Sequence, residues 1–77
     1  MRRDTKELIE SAKEDFYASL SLYEMKYFRT CCFHAHQFVE KMLKAFLLEK
    51  VGKYPFTHSI SALMMECIKI DKDFEYL

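Results

Sequence analysis

Apolar residues recur every three or four positions through the first fifty-one residues, and no glycine or proline interrupts them. This spacing is typical of helices that bury one face. The first series holds Ile9, Ala12, Phe16, Leu20, Tyr23 and Tyr27, and the second holds Phe28, Cys32, Ala35, Val39, Met42 and Phe46. One continuous helix of this length would be unusual in a small domain, so we expect the chain to reverse within residues 23–28.

Polar and conformationally special residues predict where the helices begin and end. Asp4, followed by Glu7, is typical of a helix N-cap, and Gly52 is a suitable C-cap for the second helix. The segment KYPFT forms the next loop, because Pro55 prevents the helix from continuing.

A third helix follows this loop, capped by Thr57 or Ser59. Its apolar positions are Ile60, Leu63, Met64, Cys67 and Ile68. Residues 71–73 could begin a fourth helix, but the sequence stops at Leu77. The pattern therefore predicts an all-α fold: an antiparallel up-and-down bundle with three visible helices and a fourth that is truncated or absent.

Composition narrows the functional classes. The 77 residues allow one domain, and 51% of them are hydrophobic, including seven Phe and five Tyr. This is more apolar surface than one small core covers, which favours an obligate dimer. The net charge is zero, so no global field draws the chain to nucleic acid or lipid. An odd number of cysteines favours free thiols and a cytoplasmic protein, and apolar runs are too short to span a membrane.

A polar stripe along the second helix has two interpretations. It consists of Gln37, Glu40, Lys41 and Lys44, which a helical wheel places opposite the apolar arc of that helix. The apolar arc holds Cys31, Cys32, Phe38, Val39, Met42, Leu43 and Phe46. The first interpretation is a solvated face with intrahelical ion pairs such as Glu40–Lys44. The second is a binding site. Phe33 and Leu48 point to the same side and Leu47 lies at its margin, so we expect these three residues to contact another chain.

The residues on this helix and in the loop resemble those of the HEPN domain family, a nucleotide-binding domain of higher eukaryotes and prokaryotes. The matching segments are FHAHQFVEKMLKAFL and KYPFTHSISALM, supported by Asp15-Phe16 and the Ala18 to Leu22 pattern. The spacing of Gln37, Glu40-Lys41 and Lys44 is fairly specific when combined with Thr57-His58.

This resemblance implies a helical bundle that dimerises, often encoded beside a minimal nucleotidyltransferase in a toxin–antitoxin-like pair. Family members usually run longer, so residues 1–77 are expected to form a single domain that is incomplete at the C-terminus. We expect a homodimer, or a heterodimer with a nucleotidyltransferase-like protein. A nucleotide would meet phosphate-binding Lys41 and Lys44, with Gln37 contacting a base or ribose edge and Glu40 completing the site.

Ribonuclease activity, which would make RNA the substrate, is the alternative that the resemblance implies. Many HEPN proteins are metal-independent ribonucleases whose Arg and His are separated by four to six residues. Arg29 and His34 have that spacing, but they lie at the start of the second helix rather than on a later one. We therefore expect no catalytic residues in this chain, with Arg29 and His34 as the alternative.

A metal site is the remaining chemical possibility, at Cys31, Cys32, His34 and His36. Cys32 and His36 share one helical face and Cys31 and His34 share another, so each pair supplies only two ligands. A tetrahedral zinc site would need a second chain. No metal and no other cofactor is expected.

Overall fold

The computed structural model describes residues 1–71, which form three α-helices: α1 (Arg3–Glu24), α2 (Phe28–Val51) and α3 (Ile60–Ile70). The all-α bundle predicted from the sequence is confirmed, with no strand among these residues. The possible fourth helix falls on residues 72–77, which lie outside the described part. No helix of the described chain is long and apolar enough to cross a membrane.

The helix ends follow the local sequence closely, with one exception. Ser59 caps α3, and its hydroxyl accepts a hydrogen bond from the Ala62 amide at 3.2 Å. Gly52 ends α2 in the left-handed conformation, with φ at 88°. The predicted cap at Asp4 is wrong, because α1 begins two residues after Met1 and Arg2 occupies the N-cap position. The Asp4 carboxylate instead accepts from the Arg2 side chain and the Thr5 amide.

The α1–α2 connection lies in the predicted interval and contains a strained residue. Lys26 has φ at 64°, a left-handed conformation that glycine adopts at much lower cost. The Lys26 amide donates to Tyr23 O at 3.0 Å, and the Tyr27 amide donates to Leu22 O at 2.9 Å. These two hydrogen bonds form a Schellman motif, which ends α1 and reverses the direction of the chain.

Helix α2 is the centre of the fold, since both α1 and α3 pack on it and do not pack on each other. Helices α1 and α2 are antiparallel, as contacts from Arg2–Glu49 at one end to Tyr23–Phe28 at the other show. The α2–α3 loop then runs back along α2 from its C-terminal end to its middle, where His58 contacts Glu40. Helix α3 then runs in the same direction as α2, from the level of Glu40 towards that of Val51. The antiparallel up-and-down order therefore holds for α1 and α2 only.

A small core joins α2 to α3. Leu43 and Leu47 pack against Leu63 and Cys67, all 6% exposed or less. The Cys67 thiol donates to Leu43 O at 3.9 Å, and burial raises the pKa of this thiol. The second half of α2 therefore contacts α3 through apolar residues, whereas Glu40, nearer the middle of α2, contacts the loop through a polar group.

Candidate functional site

The polar stripe of α2 faces into the fold, so its interpretation as a solvated surface is wrong. Glu40 is 2% exposed, and Gln37, Lys41 and Lys44 are half-buried. Helix α1 covers one edge of the stripe, and the α2–α3 loop covers the other. Two buried carboxylates, Asp15 and Glu40, organise the stripe into two clusters.

The first cluster connects α1 to α2 through Asp15. The Lys41 ammonium donates to Asp15 Oδ2 at 2.6 Å and to Ser11 Oγ at 2.7 Å. The other carboxylate oxygen, Oδ1, lies 2.7 Å from His34 Nδ1. Burial by itself raises the pKa of Asp15, but hydrogen bonds from Lys41 and His34 and the Lys41 charge hold that pKa below its usual value. The carboxylate is therefore ionised at neutral pH.

The second cluster connects α2 to the loop through Glu40. Lys44 Nζ lies 3.3 Å and His58 Nδ1 lies 3.2 Å from Glu40 Oε2. Burial raises the pKa of Glu40, and the His58 hydrogen bond and the Lys44 charge lower it to a net value below the usual one. The Lys44 ammonium also lies 5.4 Å from the centre of the Tyr54 ring, which holds the loop over the helix.

Glu40 Oε1 is the least satisfied atom of this second cluster. It is buried and has no hydrogen-bond partner within residues 1–71. His36 Nε2 lies 3.8 Å away, beyond hydrogen-bond distance, and is 3.4 Å from His58 O. Each of the three histidines of the chain thus lies beside one of the two buried carboxylates.

The predicted site residues are therefore close together, but most are already paired. Lys41 and Lys44 neutralise carboxylates, and the Lys44 side chain is only 13% exposed. Gln37 makes no side-chain hydrogen bond to the described residues. Asp15 and Ser11 were not predicted as parts of the site. Their signal is the four-residue spacing of Ser11, Asp15 and Ser19, a polar line along α1 that matches the polar line of α2.

The expectation that Leu47 and Leu48 lack a place inside the chain is wrong. Leu47 is 2% and Leu48 is 7% exposed, since α3 covers the first and α1 and the loop flank the second. These two leucines cannot contact a partner unless the chain opens. Phe33 is 59% exposed, because α3 and its loop do not reach that end of α2, and its interface role stays a prediction.

The alternative catalytic pair, Arg29 and His34, is not assembled as a pair. The Arg29 guanidinium is exposed and makes no hydrogen bond or ion pair within the described residues, whereas His34 is held by Asp15. Cys31 is half-buried and Cys32 is exposed, and all three cysteines are free. Across residues 1–71, no three His, Cys, Asp or Glu side chains converge to hold a metal ion.

Comparison with known proteins gives one match. The family model described as HEPN domain matches residues 5–77, which include both polar clusters, all of α2 and α3, and α1 from Thr5 onward. No curated protein and no solved structure matches significantly.

We expect Asp15→Asn to destabilise the fold by about 2 kcal/mol at neutral pH, because it leaves the Lys41 charge half-buried without its counter-ion. The folded-state pKa of Asp15 is lowered, so its contribution is complete above the unfolded value near 3.8 and is lost as the pH falls through the folded value. Urea unfolding of wild type and variant should therefore differ at about pH 7 and converge in acid.

The exposed Glu14 provides the matched control for this experiment. Glu14→Gln should change the free energy of unfolding by less than about 0.5 kcal/mol at either pH. A difference between wild type and Asp15→Asn that persists undiminished in acid would show that Asp15 acts through its shape and not its charge.

Proposed function

The chain belongs to the HEPN domain family, and on this premise we propose that it is a HEPN-type assembly and nucleotide-binding module that works as a homodimer. The observation that carries the proposal is the orientation of α2. Its polar stripe is directed inward, and much of its apolar arc, which the sequence predicts to be buried, is directed outward.

This outward surface, which we call the apolar face, spans α1 and α2. Its members are Phe16 (41% exposed), Leu20 (50%), Val39 (36%), Met42 (38%) and the exposed Cys32. The Phe16 ring lies 5.2 Å from the Phe38 ring, which joins the part on α1 to the part on α2. The face is therefore continuous across the two longest helices.

A second copy of the chain is the partner that we propose for the apolar face. Fully burying a large apolar side chain is worth roughly 1.5–3 kcal/mol, and completing the burial of several half-exposed ones yields part of that amount for each. A two-fold axis doubles every such gain, since each copy presents the same surface to the other.

We expect Met42→Lys to dissociate the dimer, because it places a charge in the middle of the apolar face. Met65→Lys is the matched control: Met65 lies on α3, is 59% exposed and is not part of the face. Sedimentation equilibrium at low micromolar concentration should show a dimer for wild type and Met65→Lys and a monomer for Met42→Lys. A folded wild-type monomer under these conditions would refute the homodimer.

Nucleotide binding is the second part of the proposal, and the geometry narrows where it can occur. Lys44 is buried against Glu40, which leaves Gln37 and the Lys41 side chain (26% exposed) as the accessible parts of the stripe. A phosphate at Lys41 would compete with Asp15 for the same ammonium group. We therefore propose a weak site in which Gln37 contacts the base or ribose.

Titration with ATP, followed by amide chemical shifts, tests this site. We expect residues near Gln37 and Lys41 to shift first and those near Lys69, on the far side of α3, to remain unmoved. Lys41→Met should remove the response of Gln37. Amide signals that stay unchanged at millimolar ATP would show that the stripe has only its packing role.

The last part of the proposal concerns a protein partner and the cellular location. A nucleotidyltransferase-like protein, in a toxin–antitoxin-like pair within the cytoplasm, would use the same apolar face in a heterodimer. A small nucleotidyltransferase gene beside the gene for this chain would support that arrangement.

A ribonuclease is the second candidate function, favoured by the Asp15–His34 contact of 2.7 Å. A carboxylate on Nδ1 orients an imidazole and leaves Nε2 free to exchange a proton with a substrate, as general acid–base catalysis requires. Arg29, five residues earlier on α2, would have to supply the cation that stabilises phosphate in the transition state.

We expect no cleavage of a mixed RNA pool by the purified chain, because Arg29 does not pair with His34 or with Asp15. Gel analysis after extended incubation measures it. Cleavage that disappears in His34→Ala, but persists in His36→Ala, would promote the ribonuclease above the binding module.

A further inference from the structure

The α1–α2 turn and the first turns of α2 form an exposed tip distinct from the polar stripe. Tyr23, Tyr27, Phe28 and Phe33 are each between 55% and 64% exposed. The Tyr23 and Phe28 rings meet edge to face with centres 5.8 Å apart, so the two are held at a fixed angle. Rings fixed in this way keep large apolar surfaces in water, which is costly unless something binds them.

Two cations accompany these rings. Lys26 and Arg29 are exposed, and neither side chain makes a hydrogen bond or an ion pair within residues 1–71. Glu24 is the only acidic residue between positions 16 and 39, so the tip carries a local positive charge although the chain is neutral. We call Tyr23, Lys26, Tyr27, Phe28, Arg29 and Phe33 the aromatic tip.

The backbone at Lys26 provides an independent observation. A lysine occupies a left-handed position, φ 64°, where glycine would relieve the strain. Strained residues of this kind concentrate at functional sites, where the side chain serves a purpose that its backbone conformation disfavours. Here the side chain supplies a charge at the apex of the turn.

We propose that the aromatic tip binds single-stranded nucleic acid. Bases stack on the rings of Tyr23, Tyr27 and Phe28, and the phosphates between them contact Lys26 and Arg29. Flat aromatic surfaces flanked by unpaired cations are what binding of single strands without sequence preference requires. A lipid surface fits less well, since two cations attract anionic membranes only weakly and the rings project from a rigid helical turn.

Fluorescence anisotropy with a labelled fifteen-nucleotide oligo-dT measures the binding. This probe has no 2′-hydroxyl, so a metal-independent ribonuclease activity of the chain could not cleave it and change the signal. With two phosphate contacts, the logarithm of the association constant should fall with the logarithm of salt concentration with a slope near −1.4, about −0.7 for each contact.

Lys26→Gly is the decisive variant, because it removes the charge and relieves the backbone at the same time. We expect the variant to unfold at a higher urea concentration than wild type, to bind oligo-dT more weakly and to reduce the salt slope by about half. Weaker binding then cannot result from unfolding. Lys6 is an exposed cation at the far end of α1. Glycine there would destabilise the helix through its low helix propensity, so Lys6→Ala is the matched charge control and should leave binding unchanged.

Phe28→Leu tests the stacking contribution separately. It keeps an apolar side chain but removes the ring, and we expect affinity to fall by about five- to a hundredfold with the salt slope unchanged. Met42→Lys, which disrupts the proposed dimer, should retain tip binding, so failure of the dimer and failure of this inference are distinguishable.

Three results would overturn the inference. The first is no binding of oligo-dT by wild type at millimolar protein and low salt. The second is binding that Lys26→Gly and Phe28→Leu leave unchanged. The third is binding to phosphatidylserine vesicles in the absence of oligo-dT binding, which would identify the tip as a membrane-surface contact.

Discussion

Two carboxylates, Asp15 and Glu40, are buried between the elements of this fold, and their need for neutralisation explains the polar contacts that hold α1 and the α2–α3 loop against the middle of α2. A buried ionised carboxylate is strongly disfavoured without a cation and hydrogen-bond donors. Lys41 and His34 satisfy Asp15, and in doing so they connect α1 to α2. Lys44 and His58 do the same for Glu40 and connect the α2–α3 loop to α2.

This arrangement determines which side of α2 faces solvent. The helix has one polar stripe and one apolar arc, and among residues 1–71 the neighbouring elements cover the stripe and only part of the arc. Burying the stripe gives specific distances and angles between elements, since charge pairs tolerate less displacement than apolar contacts. It also leaves part of the apolar arc outside, and this surplus is the physical basis for proposing a second copy as the partner.

The proposed functions rest on three surfaces: the polar stripe, the apolar face and the aromatic tip. The polar stripe serves the fold first, and only Gln37 and part of Lys41 are accessible to a ligand. The apolar face has no charged group among its members, which suits a permanent contact between subunits. The aromatic tip combines rings with a strained Lys26 and with cations that have no partner among residues 1–71, which suits a polar, anionic ligand.

Local sequence determined the helices, because their signals are properties of a few neighbouring residues. The interval of the first turn, the Gly52 C-cap and the Ser59 N-cap follow from conformational preference and side-chain capping. The spacing of Gln37, Glu40, Lys41 and Lys44, combined with Thr57-His58, also indicated the family. The predicted N-cap at Asp4 was wrong, because Arg2 occupies the N-cap position and the Asp4 carboxylate accepts hydrogen bonds from Arg2 and Thr5.

Only the tertiary structure decided which face of each helix is buried. A helical wheel places Leu47 and Leu48 beside the polar stripe, but it cannot show that the loop and α3 return to that side and cover them. Likewise, nothing local to Lys41 indicates that Asp15, twenty-six residues earlier, is its counter-ion. Burial is a property of pairs of helices, and a pattern along one helix identifies its two faces without determining which of them the neighbours will cover.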